Sequence, residues 1–335
     1  RYDDVGRLAG MTSLEWRPLE EDKGKYEPMI DRAGNTGMRF FYKDGRLIRA
    51  ESFGKDQELR LTTKGWAIVR MRHDIWGNVI EQAYFDDQDK PILDREDYTH
   101  CARLTYDKKG RKVQIEFFGV DGTPCLHRDG YASISLTYNK HGKMTTESYF
   151  GPDGEPVLDP SDNTHKVEWT YDEQGNNIIR QSYFGADGQP CLSKNGYASM
   201  VWEYDEHGNK TSESYFGSDG KPVLDSSDNT HKVEWTYDEE GNNITHTSYF
   251  GVDGNPCLHK NGYASFKSEY DDRGNITRTS YYGVDGNPCL HKDGNASFRS
   301  EYDDRGNIIR QSYFGVDGQL CLTKNGYAAM VWEYD

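Results

Sequence analysis

The sequence is poor in aliphatic residues and contains no long apolar run. Hydrophobic residues make up 34% of the 335 positions, while charged residues make up 29% and glycine fills 35 positions. This composition leaves too little apolar material for one large aliphatic core. No stretch approaches the roughly eighteen consecutive apolar residues of a membrane-spanning helix. We therefore expect no membrane insertion by this region.

Basic residues are also scarce. There are 40 lysines and arginines against 56 aspartates and glutamates, a formal net charge of −16. Binding nucleic acid or anionic lipid usually needs a concentrated patch of lysine and arginine. The charge therefore predicts that neither nucleic acid nor anionic lipid is a partner.

Cysteine occurs only six times, and five of the six share one slot of a repeat, with Cys101 apart. The five are Cys125, Cys191, Cys257, Cys289 and Cys321. This regular spacing fits copying of a repeat better than a disulfide framework. A disulfide between repeats would also need Cα atoms within about 7 Å.

Aromatic residues, by contrast, are plentiful: 24 tyrosines, 13 phenylalanines and 7 tryptophans. Each ring buries a large area at modest entropic cost, so a narrow stack of rings can replace aliphatic bulk. The composition predicts a folded chain with a thin, repeated core.

A Tyr-Asp or related dipeptide recurs along the whole chain. Ten intervals separate the eleven anchors; the first is 40 residues long and the others are 31 to 33. The anchors are Tyr2, Tyr42, His73, Tyr106, Tyr138, Tyr171, Tyr204, Tyr237, Tyr270, Tyr302 and Tyr334. The long first interval predicts an atypical N-terminal repeat with an insertion over residues 1–41, followed by a regular array over residues 42–335.

The residues before each anchor alternate as in a β-strand with one wet face. Val167 and Trp169 precede one anchor at four and two positions, and Glu168 and Thr170 lie between them. A glycine such as Gly208 follows the anchor and can supply the positive φ of a tight hairpin. Each repeat also carries Tyr-Phe-Gly-x-Asp-Gly-x-Pro and a Lys-Asn-Gly turn, typical of a second, shorter hairpin. We predict an all-β fold, a tandem β-hairpin array of about ten repeats forming a solenoid or spiral sheet.

The anchors resemble the tyrosine-aspartate (YD, or RHS-type) repeats of bacterial surface and toxin-delivery proteins, most clearly from Tyr2 to Leu8 and from Tyr106 to Arg111. The likeness covers nearly the whole chain. In that family the hairpins wind into a large spiral sheet, sometimes a closed shell around a toxic cargo, and the resemblance implies the same kind of sheet here. This repeat is longer than the family's, because it carries the second hairpin.

A weaker similarity links the repeat to the aromatic hairpin repeats of bacterial cell-wall-binding proteins, as in the run from Tyr313 to Gly318. In those modules aromatic cages bind choline or glycan. The chain lacks the Gly-Trp pair that is typical of them.

The Tyr-Phe pairs of the second anchor are the candidate ligand-binding aromatics, because their neighbours are polar. They are Tyr183, Phe184, Tyr215, Phe216, Tyr249, Phe250, Tyr281, Tyr282, Tyr313 and Phe314. Stacking on a sugar requires an exposed ring, and the alternative is a structural role. The tryptophans before the anchors, such as Trp169 and Trp202, share a face with Val and Met, so we expect them in the core.

Metal binding is a weak alternative. Cys257 with His259, and Cys289 with His291, place a thiol and an imidazole on one strand face, and both groups bind zinc. Zinc needs four ligands within about 2.0 to 2.3 Å, whereas residues one repeat apart are separated by a sheet spacing or more.

The aspartate-rich turns could hold calcium, but an Asx-turn explains aspartate beside glycine without an ion. No cofactor is expected.

The sequence contains no nucleophile elbow, phosphate loop or metalloprotease helix, so we predict no catalytic residues and a chain that is not an enzyme. The leading hypothesis is an extracellular or cell-surface structural or adhesive repeat protein, forming a fibre, stalk or binding surface. Its expected partners are further copies of itself, assembled end to end or laterally, or a glycan or cell-wall polymer. The alternatives are a carbohydrate or cell-wall binding module and the shell portion of an RHS-type toxin.

Overall fold

The computed structural model describes residues 10–12 and 37–334. Within these residues the regular structure consists of twenty β-strands, with no helix. The strands are β1 (Gly10–Thr12), β2 (Gly37–Lys43), β3 (Arg46–Phe53), β4 (Ile68–His73), β5 (Val79–Phe85), β6 (Cys101–Tyr106), β7 (Lys112–Phe118), β8 (Ser133–Tyr138), β9 (Met144–Phe150), β10 (Lys166–Tyr171), β11 (Ile178–Phe184), β12 (Ser199–Tyr204), β13 (Lys210–Phe216), β14 (Lys232–Tyr237), β15 (Ile244–Phe250), β16 (Ser265–Tyr270), β17 (Ile276–Tyr282), β18 (Ser297–Tyr302), β19 (Ile308–Phe314) and β20 (Ala329–Val331). The predicted all-β hairpin array is confirmed. The atypical repeat predicted for residues 1–41 lies largely outside the described residues.

The chain divides into two compact units, Arg1–Ser161 and Asp162–Asp335. In the first unit β1 to β9 pair antiparallel in chain order. In the second unit β10 to β20 do the same. Strands that follow each other in sequence are thus neighbours in each sheet, which is the simplest connection for a hairpin array.

Each long hairpin of the described part carries one extra residue on its return strand, opposite the anchor. In the hairpin of β10 and β11 the register shifts between Thr170 and Tyr171. The same shift recurs just before the anchor in every long hairpin of the described part. Such a β-bulge bends the strand and changes which residues face each other beyond it. Where the sequence has Gly-Asn-Asn in place of Gly-Asn, the turn itself is wider, and the Asp172 N–H reaches the carbonyl of Asn177.

The short hairpin follows the second strand. A bridge joins Phe184 to Pro190, and the Cys191 N–H donates to the carbonyl of Tyr183 at 3.0 Å. The core of the second unit includes the buried residues Val167, Tyr183, Tyr197 and Tyr215, with Trp169, Cys191, Met200 and Val223 packed against them. Three of the four buried members are tyrosines, as the composition predicts.

No helix in the described part of the chain has the length and apolarity needed to span a membrane.

Candidate functional site

Six anchor tyrosines of the described part tie their strand to the long hairpin before it. The Tyr204 hydroxyl donates to the carbonyl of Ile178 at 2.9 Å, and the Tyr237 hydroxyl donates to that of Lys210 at 2.9 Å. The same bond is made by Tyr106, Tyr270, Tyr302 and Tyr334. Each acceptor begins the return strand of the preceding hairpin or lies within it. The tyrosine of the dipeptide therefore links repeats, and we call these bonds the tyrosine ladder.

The anchor aspartates shape the turns of the long hairpins. Asp205 Oδ1 accepts from the backbone N–H groups of His207 at 3.0 Å and Asn209 at 2.8 Å, and Asn209 Nδ2 donates to Oδ2 at 3.2 Å. Desolvation raises the pKa of Asp205, but the bonds from Asn209 outweigh it and hold the pKa below the usual range. The carboxylate is used within the turn itself, as in an Asx-turn. Among the described residues no three His, Cys, Asp or Glu side chains gather where a metal ion could bind.

Backbone hydrogen bonds join successive repeats at the opposite end of the long hairpins. The Lys292 N–H donates to the carbonyl of Asn261 at 2.7 Å, and the Lys324 N–H donates to that of Asp293 at 2.7 Å. Equivalent bonds to the preceding linker are made by the N–H groups of Arg128, Lys194, Ser226 and Lys260. We call this series the linker ladder. Where both ladders are present, a repeat is thus bonded to its neighbour at both ends as well as along its strands.

Stacked rings run behind the linkers and include the histidines proposed as metal ligands. The His259 ring centroid lies 4.7 Å from that of Tyr249 and 5.4 Å from that of Tyr263. His259 is buried, its Nε2 lies 3.2 Å from Asp228 Oδ1, and its Nδ1 accepts from the Asn261 N–H at 3.2 Å. His291 stacks on Tyr281 at 4.9 Å. Both ring nitrogens of His259 thus have protein partners, which leaves neither free for zinc.

Burial disfavours the thiolate form of the cysteines paired with these histidines. Desolvation raises the pKa of both Cys257 and Cys289, and the Cys289 Sγ lies 3.7 Å from the carbonyl of Gly262. Desolvation also raises the pKa of Cys101, to about 11. Because the thiolate is the form that ligates metals and attacks electrophiles, these groups are poorly suited to either role at neutral pH.

None of the ten candidate ligand-binding rings is exposed. Tyr183 and Tyr215 are buried, with 5% and 8% of their surfaces accessible, and the other eight are half-buried. The register places Tyr183 opposite Val167 on the core face, and Phe184 opposite Lys166 on the other face. There Lys166 Nζ lies 4.2 Å from the Phe184 ring centroid, a cation–π contact. The paired rings thus face opposite sides of the sheet, each with a packing partner.

A polar network among the tryptophans was not foreseen from the sequence. Trp202 Nε1 donates to Glu213 Oε2 at 2.6 Å, and Lys210 Nζ donates to the same oxygen at 2.8 Å. Lys210 Nζ also lies 5.3 Å from the Trp202 ring and 5.7 Å from that of Trp235. Desolvation raises the pKa of Glu213, but the bond from Lys210 outweighs it and keeps the carboxylate ionised. The sequence feature that marks this network is the glutamate at position 213, where two other return strands carry Gln181 and Thr247.

No family model matches the chain, and no curated protein matches it. The chain is similar to a solved structure of the Photorhabdus luminescens Tc holotoxin pore, with 14% identity over 83% of this chain and 13% of that one and a TM-score of 0.38. It is also similar to the TcdB2-TccC3-Cdc42 crystal structure, with 14% identity over 93% of this chain and 15% of that one and a TM-score of 0.44. The chain spans less than a fifth of the length of either.

Proposed function

We propose that the chain is a non-enzymatic repeat array that serves as a structural body or binding surface outside the cell or on its surface. The observation that carries the proposal is the pair of ladders. The tyrosine that defines the repeat joins one repeat to the next through its side chain, as in Tyr204 to Ile178, and the linker does so through its backbone, as in Lys292 to Asn261. Such nearest-neighbour bonding makes a long body whose stability is the sum of similar interfaces.

The state of the reactive side chains supports a role without catalysis. A nucleophilic cysteine needs a lowered pKa and a general base with a free nitrogen. Here desolvation raises the pKa of Cys257, and the ring nitrogens of His259 already have partners.

Glycan binding through the ten candidate rings is less favoured than a structural role, because a ring that stacks on a sugar must offer an accessible face. Tyr183 and Tyr215 are buried, and Lys166 covers Phe184. The shell of an RHS-type toxin stays a prediction of the family resemblance.

The proposal is tested on intact cells that produce the full-length protein. We expect added protease to cleave the repeat region without lysis, and we expect the purified chain to show no turnover across hydrolase and transferase substrate panels. If the protease cleaves the repeat region only after the cells are broken, the proposed location outside the cell or on its surface is wrong. Saturable turnover that a single substitution abolishes would contradict the non-enzymatic role. A cytoplasmic protein of the same cells is the lysis control.

A further inference from the structure

The turns that close the long hairpins differ sharply in charge along the chain. In the first unit the turns lie at residues 44–45, 74–78, 107–111 and 139–143, between strands that pair in order, so all four lie at one edge of the sheet. With one strand residue on each side, these turns carry eight lysines and arginines against three aspartates, a net charge of +5. We call them the basic turn edge. The five turns of the second unit, counted in the same way, carry three cations against eleven acids, a net charge of −8.

The cations of the basic turn edge fall into two groups. Arg46 and Arg111 are half-buried and brace the next turn, since Arg46 donates to the carbonyls of Asp74 and Ile75 and Arg111 donates to that of Asn139. The lysines are exposed, and none forms an ion pair within the described part of the chain. They are Lys43, Lys108, Lys109, Lys112, Lys140 and Lys143. The edge therefore presents unneutralised positive charge, which the net charge of the whole chain conceals.

One turn of this edge carries an apolar pair at its tip. Ile75 and Trp76 are 80% and 79% exposed, more than any other large apolar side chain in the described residues. The corresponding positions in the sister turns of 107–111 and later are all polar, for example Lys108 and Lys109, or Glu206 and His207. Exposing Trp76 beside Ile75 to water costs free energy, and burying the two side chains against a partner would recover it.

The tip is held rigidly in its exposed position. Asp74 Oδ1 accepts from the backbone N–H groups of Trp76 and Asn78, both at 2.9 Å, and Arg46 clamps the turn from the neighbouring hairpin at 2.5 and 2.9 Å. Gly77 takes φ +97°, which closes the turn. A preorganised tip pays little conformational entropy when it binds.

We propose that the basic turn edge docks on the surface of an anionic phospholipid bilayer, with Ile75 and Trp76 inserted at the headgroup boundary. Tryptophan favours the membrane interface, where its ring is buried and its N–H stays wet, and isoleucine favours the acyl boundary beneath. Neighbouring hairpins lie about 10 Å apart, since each adds two strands at about 4.8 Å. Lysines on the flanking turns are therefore about one Debye length from the tip, close enough to attract anionic headgroups. An apolar insertion combined with a basic patch supplies the two signals that stable peripheral binding requires.

A bilayer fits the edge better than single-stranded nucleic acid does. Nucleic-acid channels stack successive bases on several aromatic rings. This edge offers one exposed ring, and the neighbouring Ile75 has no stacking face and no hydrogen-bonding group. The acyl boundary accepts both side chains.

The test is co-sedimentation of the 335-residue chain with vesicles of phosphatidylcholine containing about one third phosphatidylserine. We expect binding that falls as salt is raised and is much weaker on pure phosphatidylcholine.

Replacing the tip by Ile75→Glu with Trp76→His reproduces the native turn sequence at 205–209, so the hairpin has a precedent for folding. This variant should lose at least tenfold in partitioning. Lys108→Gln with Lys109→Gln should lose about 25-fold, since each lysine near the surface contributes about fivefold.

A matched control moves the tip to the acidic edge. Glu206→Ile with His207→Trp, made in the background that lacks the native tip, should not restore vesicle binding. Far-UV circular dichroism and thermal unfolding check that each variant stays folded. Equal partitioning of the tip variant and the parent, recovery through the transplanted tip, or tighter binding to single-stranded RNA than to the vesicles would each overturn the proposal. Its failure leaves the role of the array as a structural body unaffected, because the ladders do not involve the tip.

Discussion

The two ends of the long hairpins are joined to their neighbours by different chemistry. At the anchor end the bond to the neighbour comes from a side chain, the tyrosine hydroxyl, as in Tyr204, while the aspartate carboxylate holds the turn itself, as in Asp205. At the linker end the bond comes from the backbone. The Lys292 N–H bonds to the Asn261 carbonyl of the preceding linker, and within the linkers the N–H groups of His259, Ser193 and Thr323 each bond to the carbonyl four residues on, although these three side chains share little. The anchor end therefore demands particular residue types, whereas the linker end accepts many.

Stability is distributed unequally between the two ends. The buried rings of the second unit, such as Tyr183 and Tyr197, gather toward the linkers, and the anchor end is held by hydrogen bonds with only half-buried side chains around them. Burial of aromatic area contributes more per residue than a single hydrogen bond does. We expect substitutions at the linker end to cost more, and the following variants test that order.

The largest effect is expected from Tyr197→Ala. Tyr197 is buried, and its ring centroid lies 6.0 Å from that of Tyr183 and 4.9 Å from that of Tyr215. Truncating such a ring leaves a cavity and costs about 3 kcal/mol or more, measured by urea denaturation. Tyr327→Ala is the control, because Tyr327 is half-buried and stacks on Tyr313 alone, at 5.8 Å. Equal costs for the two variants would contradict the idea that ring stacking holds the linker end.

A smaller loss is expected from Gly208→Ala at the anchor end. Gly208 has φ +85°, and a Cβ there would meet no atom within 4 Å, so the whole penalty is backbone strain. The left-handed conformation costs an ordinary residue about 1 to 2 kcal/mol. Gly208→Asn should cost less, since asparagine tolerates this conformation. If the two variants unfold at the same denaturant concentration, the turn does not require a positive φ.

Tyr204→Phe isolates one rung of the tyrosine ladder. The variant removes the hydroxyl that donates to Ile178 and keeps the ring. We expect a loss of about 1 kcal/mol, with faster amide exchange confined to the two hairpins that the rung joins. Tyr282→Phe serves as the control, because no hydrogen bond of the Tyr282 hydroxyl occurs within the described residues. An effect of the same size at Tyr282 would mean that the ladder bond contributes nothing specific.

The smallest effect is expected on the dependence of stability on acidic pH. The hydrogen bond from Arg111 lowers the pKa of Asp107 from 3.8 to about 2. Because the folded state holds its proton less tightly than the unfolded state, this contribution is complete above the ordinary aspartate pKa and is lost as the pH falls from about 4 to about 2. Asp107→Asn should flatten stability against pH in that window. The turn at 139–143 already uses asparagine, since Asn139 Oδ1 accepts from His141 and Lys143. If the slope of stability against pH is the same in Asp107→Asn as in the parent, Asp107 does not contribute to the acid sensitivity.

Much of the fold follows from the sequence pattern alone. The anchor spacing fixes the number of hairpins, and the alternation of Val167, Glu168 and Trp169 correctly separates the core face from the wet face. Glycine marks the turns, as at Gly208. These features are local, so a single strand or turn suffices to read them.

The face of the sheet that each candidate ring occupies could not be predicted in the same way. Which face a residue occupies on the second strand depends on pairing with the first, and one extra residue exchanges the faces. The bulge opposite Thr170 and Tyr171 adds Ile179 to the return strand, and no glycine or proline marks it. The sequence therefore does not say which of Tyr183 and Phe184 takes the core face, although strand alternation puts the two on opposite faces. The charge of the basic turn edge was hidden for a related reason, because residues from Lys43 to Lys143 meet only when the sheet forms.

The tyrosine ladder also gives the array a direction. The Tyr204 hydroxyl and the Lys292 N–H both bond to carbonyls that come earlier in the chain, Ile178 and Asn261. During synthesis the N-terminal part of a protein emerges and folds first. Each new hairpin therefore leaves the ribosome with its ladder donors, the tyrosine hydroxyl and the linker N–H, facing acceptors that are already in place. The same polarity makes the N-terminal side of any repeat a template and its C-terminal side a growing edge.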